Sequence, residues 1–224
     1  MRHRSVAIDG PAGAGKSTLA RKLAEKLGFL YVDTGAIYRT VALKVLWEKA
    51  DPADPGQVVP LLEGLEIHMD YENGEQKMYL EGEDVSAAIR RHKVSGAASQ
   101  VSAIPEVRAF LLDYQRELSR TRDVVMDGRD IGTVVLPGAD VKIFLTAAPE
   151  ARARRRLLEL EQRGETADFE TILRDIRERD WQDEHRPVAP LKQAADAVLL
   201  DTTDLDLGQS MSRLLSLVKE KIAQ

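Results

Sequence analysis

The chain has 224 residues, 43% hydrophobic and 31% charged, with a net charge of −5 at neutral pH. That balance suits a globular protein with a sizeable core, and the acidic excess argues against a general nucleic-acid-binding or membrane-binding surface, so any basic site must be local. There is no cysteine, which removes disulfides, thiolate catalysis and cysteine-bound zinc, and the four histidines show no metal-ligand spacing.

The start, MRHRSVAIDG, is basic, but its apolar run stops at Asp9, too short for a signal peptide. No later stretch approaches the roughly 20 apolar residues of a membrane span, so a cytoplasmic protein without membrane contact is expected. Residues 4 to 8 read as a buried strand. GPAGAGKS follows, Gly10 to Ser17, and matches the pattern Gly-x-x-x-x-Gly-Lys-Ser/Thr. Glycines at those positions let successive backbone N–H groups converge on an anion at a helix N-terminus, Lys16 can reach the β- and γ-phosphates of a nucleotide, and the Ser17 hydroxyl can ligate Mg²⁺. The expected triphosphate cradle is Gly10, Pro11, Ala12, Gly13, Ala14, Gly15, Lys16, Ser17 and Thr18. A helix over 16 to 28 carries Leu19, Leu23 and Leu27 on one face and stops at Gly28.

Two alternating runs flank Asn73-Gly74, the strongest short-range hairpin signal, so a small antiparallel insertion is expected at about 60 to 93. Further buried strands are expected at 123 to 128, 140 to 147 and 196 to 201. Helical periodicity over 150 to 163, 169 to 180 and the last eighteen residues completes a parallel α/β sheet flanked by helices.

Several arginines stand in particular settings: Arg39 in DTGAIYR, Arg108 in IPEVR, Arg129 in DGRDIG, and Arg179 and Arg186 in RDWQDEHRPVAPL. The guanidinium fork suits phosphate oxygens, and Arg129 follows a buried strand at the edge where open α/β sheets bind ligands. No Asn-Lys-x-Asp guanine reader exists, since Asn73 is the only asparagine. Asp127 is followed by glycine and arginine rather than the adjacent carboxylate of motor ATPases. A small phosphotransferase is therefore expected. An acceptor that is itself a phosphate needs no general base, so positioning and electrostatics suffice.

The loop GPAGAGKST, then DTGAIYR, EGEDVS, AASQVSAIPEVR, DGRDIGTVV and RDWQDEHRPVAPL, in that order and spacing, resemble the bacterial cytidylate kinase family over essentially the whole chain. The resemblance implies the P-loop nucleoside monophosphate kinase fold, a monomer, and transfer of the γ-phosphate of ATP to CMP or dCMP with Mg²⁺. It also implies a core at 1–33 and 95–224 with a short helical lid at about 150–165, and a CMP-binding lobe at 34–94 that includes the hairpin. Residue by residue, it implies cytosine contacts at Ser99, Arg108 and Asp130, acceptor-phosphate contacts at Thr34, Arg39, Arg129 and Arg186, and pentose contacts at Arg179 and Asp183. Where many relatives have serine this chain has Thr34, which keeps the hydroxyl. Cytosine's exocyclic amine can donate to Asp130, whereas uracil would set an oxygen lone pair against it. Arg152, Arg154, Arg155 and Arg156 supply charge for the lid, with Arg154 the expected contact to the transferring phosphoryl group. The alternatives are a kinase of the same fold acting on UMP, AMP or shikimate, and a nucleotide-binding protein without phosphotransfer.

Overall fold

The structure, a computed structural model, describes residues 3–72, 75–162 and 164–222. It divides into two compact units, Met1–Tyr31 with Thr121–Gln224, and Val32–Arg120.

A five-stranded sheet in the order β2-β6-β1-β7-β8 is formed by β1 (Ser5–Asp9), β2 (Leu30–Asp33), β6 (Val124–Gly128), β7 (Val141–Thr146) and β8 (Val198–Asp201), all of the first unit except Val32 and Asp33. Pairing is parallel from β6 through β8, with Val6 opposite Val125 on one side and Val141 on the other. The central strands are covered on both faces, so they read as continuous apolar runs. Four of the five are the expected strands. The fifth, β2, has only Leu30, Tyr31 and Val32 as its apolar residues, too short a run to stand out beside the glycine stop at Gly28.

Helices α1 (Lys16–Leu27) and α8 (Leu207–Ile222) pack on this sheet. Leu19, Ala20, Leu23 and Ala24 of α1 and Met211, Leu214 and Val218 of α8 join Val6, Ile8, Val125, Ile143 and Leu145 in one buried cluster. α1 ends as its sequence dictates, with Gly28 in the left-handed region at φ 70°. Helices α6 (Pro149–Gln162) and α7 (Phe169–His185) form a pair with a small core of its own around Ala153, Ile172 and Leu173. The Asp168 carboxylate caps α7 by accepting the Thr171 amide at 2.8 Å. α7 runs one turn and more beyond the expected 180, and the extra length carries Asp183.

The second unit holds α2 (Thr34–Trp47), the short α3 (Pro55–Val58), β3 (Ile67–Glu72), β4 (Glu75–Leu80), β5 (Glu83–Asp84), α4 (His92–Val101) and α5 (Pro105–Thr121). β3 and β4 pair antiparallel, Ile67 opposite Leu80 and Glu72 opposite Glu75, as the alternating runs require. The turn residues Asn73 and Gly74 lie outside the described residues. β5 extends the expected hairpin to three strands. The helices α2, α4 and α5 were not among the expected elements. Residues 34–94 fall within this unit, which also takes in 95–120 and with them Ser99 and Arg108.

Candidate active site

β1 delivers the chain into the glycine loop, where Gly10 (φ 151°), Gly13 (φ 74°) and Gly15 (φ 89°) adopt conformations that side chains disfavour. α1 begins at Lys16 directly behind Gly15, so its unsatisfied N–H groups and the loop amides supply anion-binding donors. Lys16 is buried, and its ammonium folds back to donate to the Pro11 carbonyl at 2.7 Å. Burial pulls its pKa down to about 7, and Arg129 adds to the fall, against the opposing pull of Asp127, Asp183 and Asp9. A cation held this close to neutrality is one that an anionic ligand would recharge.

The Ser17 hydroxyl donates to Asp127 Oδ2 at 2.9 Å, and the Tyr31 hydroxyl donates to Asp127 Oδ1 at 2.9 Å. Asp127 thus matters at this site although sequence reasoning set it aside. The signal was present, an aspartate ending a buried strand, but a following carboxylate was demanded of it. Asp9, the residue before the loop, was missed altogether. Its carboxylate accepts the amides of Ile131 and Gly132, each at 2.7 Å. Burial pushes its carboxyl up to about 6 despite those two amides, and nearby Asp130 adds to the rise. The amides begin a single π-type turn, Ile131–Val135, of the kind found at functional positions.

β6 leads straight into Arg129 and Asp130. Arg129 Nε donates to Asp183 Oδ2 at 2.6 Å. Burial works against the Asp183 carboxylate, but Arg129, with Arg179 and Arg186 nearby, outweighs it and holds the carboxyl below its ordinary range. Arg179, Asp183 and Arg186 recur at helical spacing, which places them along one face of the end of α7. Pro187 forces Arg186 into extended backbone (φ −61°, ψ 141°) and ends the helix there. Arg186 donates to the Ala189 carbonyl at 2.6 Å and to Asp130 Oδ1 at 3.4 Å. Asp130 is thus paired with Arg186 in a salt bridge.

In the second unit, Thr34 is buried at the first position of α2. Asp33 caps that helix through the Ala36 amide and accepts from Arg39 Nη2 at 2.9 Å. Arg108 is buried, donates to the Ser102 carbonyl at 3.1 Å, and lies 5.5 Å from the centre of the Tyr38 ring. Ser99 lies on α4, its carbonyl accepting the Ser102 hydroxyl at 2.8 Å.

Of the four arginines opening α6, Arg152 is buried in bonds to Ala147, Ala12 and Asp180. Arg155 donates to the Thr202 carbonyl, and Arg156 pairs with Glu159 at 3.3 Å. Arg154 alone of the four is exposed.

Residues 6–220 match the family model described as cytidylate kinase. The chain belongs to the cytidylate kinase family. Relatives named cytidylate kinase include those of Shouchella clausii (49% identical, covering 98% of each chain) and Caldicellulosiruptor bescii (48%, covering 97% of this chain and 96% of the other). That of Escherichia coli O1:K1 is 47% identical, with coverage of 97% and 96%. Among solved structures, an uncharacterized protein from Eubacterium ventriosum shares the fold at TM-score 0.54, with 12% identity over 99% of both chains. In this cytidylate kinase family member the loop, Asp127, Arg129 and Asp183 all belong to the first unit, and Thr34, Arg39, Ser99 and Arg108 to the second.

Proposed function

We propose that the chain transfers the γ-phosphoryl group of ATP to CMP or dCMP, giving ADP and CDP or dCDP. The observation that carries the reading is the family match spanning Lys16 of the glycine loop and the Arg129–Asp183 pair alike. The loop from Gly10 to Thr18 holds the triphosphate by the backbone N–H groups of its residues other than Pro11, and Lys16 leaves the Pro11 carbonyl for the phosphates. Ser17 and Asp127 offer the hard oxygen donors that Mg²⁺ takes beside substrate phosphates. When bound, the metal neutralises charge on the phosphates and orients them.

On the acceptor side Thr34, Arg39, Arg129 and Arg186 hold the monophosphate, and Arg179 and Asp183 the pentose. An acceptor phosphate oxygen attacks the γ-phosphorus while the bond to the β,γ-bridging oxygen breaks, so the chain needs to align and neutralise rather than to take a proton. Arg154, exposed on α6, closes over the transferring group and excludes water. The same reading makes the enzyme a cytoplasmic monomer, which light scattering of the purified chain checks for its second half. Formation of CDP from CMP in a screen of acceptors with ATP and Mg²⁺ tests the activity. CMP left unphosphorylated while UMP, AMP or shikimate is consumed would overturn it.

Ser99, Arg108 and Asp130 read cytosine. Asp130 accepts from the exocyclic amine, and because it is buried, uracil in its place leaves a carboxylate facing a lone pair. Asp130→Ala is expected to reduce the CMP-over-UMP preference in kcat/KM by roughly 10- to 100-fold, on the scale of one unpaired buried polar group. Unchanged selectivity in steady-state kinetics would remove this role.

The lowered pKa of Lys16 sets a pH dependence with a definite sign. In the free enzyme the cation is lost as pH rises through about 7, so kcat/KM for ATP should fall on the alkaline side of that value. Bound triphosphate favours the charged form and moves the titration upward, so kcat at saturating ATP should stay level to higher pH. Coincident profiles for the two parameters would contradict the assignment.

A further inference from the structure

We propose that Arg152 is a positioning residue that aims the phosphate loop, and that Asp180 ties this aim to the helix carrying Asp183. The inference rests on the reading of Gly10 to Thr18 as the ATP cradle. Arg152 sits in the first turn of α6, where a lid arginine would be sought, but its side chain is only 3% exposed. Nε donates to the Ala147 carbonyl at 2.8 Å, just past the end of β7. Nη1 donates to the Ala12 carbonyl at 3.0 Å and to Asp180 Oδ1 at 2.9 Å, and Nη2 to Asp180 Oδ2 at 2.6 Å. Those bonds occupy four of the five N–H groups of a guanidinium. The fork is committed to protein, which leaves no bidentate face for a phosphate.

What the fork holds decides what it does. The Ala12–Gly13 peptide is trans, as every described peptide is, and a trans peptide points its C=O and the following N–H in opposite directions. Pinning the Ala12 carbonyl on Arg152 therefore turns the Gly13 amide away from α6. Lys16 holds the preceding carbonyl, that of Pro11, until it leaves for the phosphates. A Cβ placed on Gly13 would stand 3.7 Å from Arg152 Cβ, so the arginine stem also lies against the loop. Glycines give the loop freedom to bind an anion and equally freedom to collapse, and a buried fork at its outer side removes the second freedom before ATP arrives. That is preorganisation of the kind that separates productive from unproductive binding.

Asp180 extends the strut. It accepts both Nη groups of Arg152, and one turn later on α7 Asp183 accepts Arg129. One helix thus braces the donor loop at one residue and the acceptor arginine three residues on. A second tie between α6 and α7, Arg177 to Glu150 at 2.6 Å, is exposed and touches neither.

The test compares Arg152→Lys, Asp180→Asn and Arg177→Ala in the full chain, with melting temperature, steady-state kinetics and equilibrium binding of an ATP analogue. Lysine keeps the charge but, as a compact ammonium, cannot span two carbonyls and a carboxylate. Arg152→Lys is expected to lower kcat/KM for ATP by roughly 10- to 100-fold, chiefly through KM, the scale of an ångström's misplacement. Asp180→Asn should shift KM for ATP in the same direction by a smaller factor, and the double variant should be less than additive because both act on one contact. Arg177→Ala, which loosens the same helix pair, should change melting temperature without changing KM for ATP. Should Arg152→Lys not fold, Asp180→Asn against Arg177→Ala decides alone. The proposal is overturned if Arg152→Lys and Asp180→Asn move KM and analogue affinity no more than Arg177→Ala does. Failure of the parent enzyme to phosphorylate CMP would instead defeat the kinase reading, and the binding measurements would still decide this one.

Discussion

Arg129→Met is expected to lower kcat/KM for CMP by about 10³- to 10⁴-fold, in the range seen when a phosphate-clamping arginine or its equivalent is removed from phosphoryl transfer. The size follows from what surrounds it. Arg129 and Lys16 are close enough for one cation to depress the other's pKa, an arrangement that is unfavourable until an anion arrives between like charges. A transferring phosphoryl group is such an anion, so the repulsion present in the free enzyme is relieved on the way to the transition state. Removing Arg129 also takes its 2.6 Å ion-pair partner from the buried Asp183 carboxylate, leaving Arg179 and Arg186 nearby. Breaking a buried pair on one side costs up to about 3–5 kcal/mol where no other cation compensates, so the melting temperature should fall as well. The two effects are separable. Adding Asp183→Asn should return much of the lost stability while activity stays low, and Arg129→Lys should be intermediate, because the charge survives but the Nε contact does not. The pH midpoint of kcat/KM for ATP should also rise in Arg129→Met, since Lys16 loses a repelling neighbour. Near-normal CMP turnover by the stable double variant would show that Arg129 serves only the fold.

Gly10→Ala is expected to be more damaging than alanine at either of the other two glycines of the loop. A Cβ at Gly10 would fall 1.9 Å from the backbone carbonyl oxygen of Leu145, inside the central sheet, whereas at Gly15 nothing lies within 4 Å. All three positions carry φ values that alanine disfavours, at roughly 1–3 kcal/mol each. Only Gly10 adds a collision with β7 backbone, and overpacking of that sort costs about 1–3 kcal/mol more. At about 2–4 °C per kcal/mol for a chain of this length, the melting temperature should drop by on the order of 10 °C. ATP binding should be lost together with it, because the only relief is to move the loop off the strand. A Gly10→Ala protein that melts and binds ATP as Gly15→Ala does would contradict this account.

Some of this architecture could be read from residues that are neighbours along the chain. The glycine loop, the helix that follows it, and the pairing of β3 with β4 across Asn73-Gly74 are each dictated within about fifteen residues. Local backbone preferences and alternation suffice for such elements. β2 was not legible because its burial comes from pairing with β6 rather than from a long apolar run of its own. α4 was passed over because the small and polar residues of HKVSGAASQV blur the helical period, and α2 because TGAIYRTVALKVLW is apolar around most of its circumference; α5, PEVRAFLLDYQRELSRT, carries a legible helical period that was not used. At the site, the arginine-rich motifs marked where anions could bind but not which arginines are available. Arg152 and Arg154 are two residues apart with the same chemistry, yet one is locked against the loop and the other is exposed. Likewise Asp9 looked like the end of a strand, and its two amide partners lie more than 120 residues away.

The amino-acid sequence alone determined that a triphosphate loop sits on a parallel α/β core and that the chain has the motifs of cytidylate kinases, since these depend on spacing within short segments. Only the tertiary structure decided that Asp127 faces Ser17, that Asp183 takes Arg129 and that Asp180 takes Arg152. Each of those pairs joins residues 28 to 110 positions apart, and a carboxylate chooses its partner by what burial brings within three ångströms, which no local pattern records.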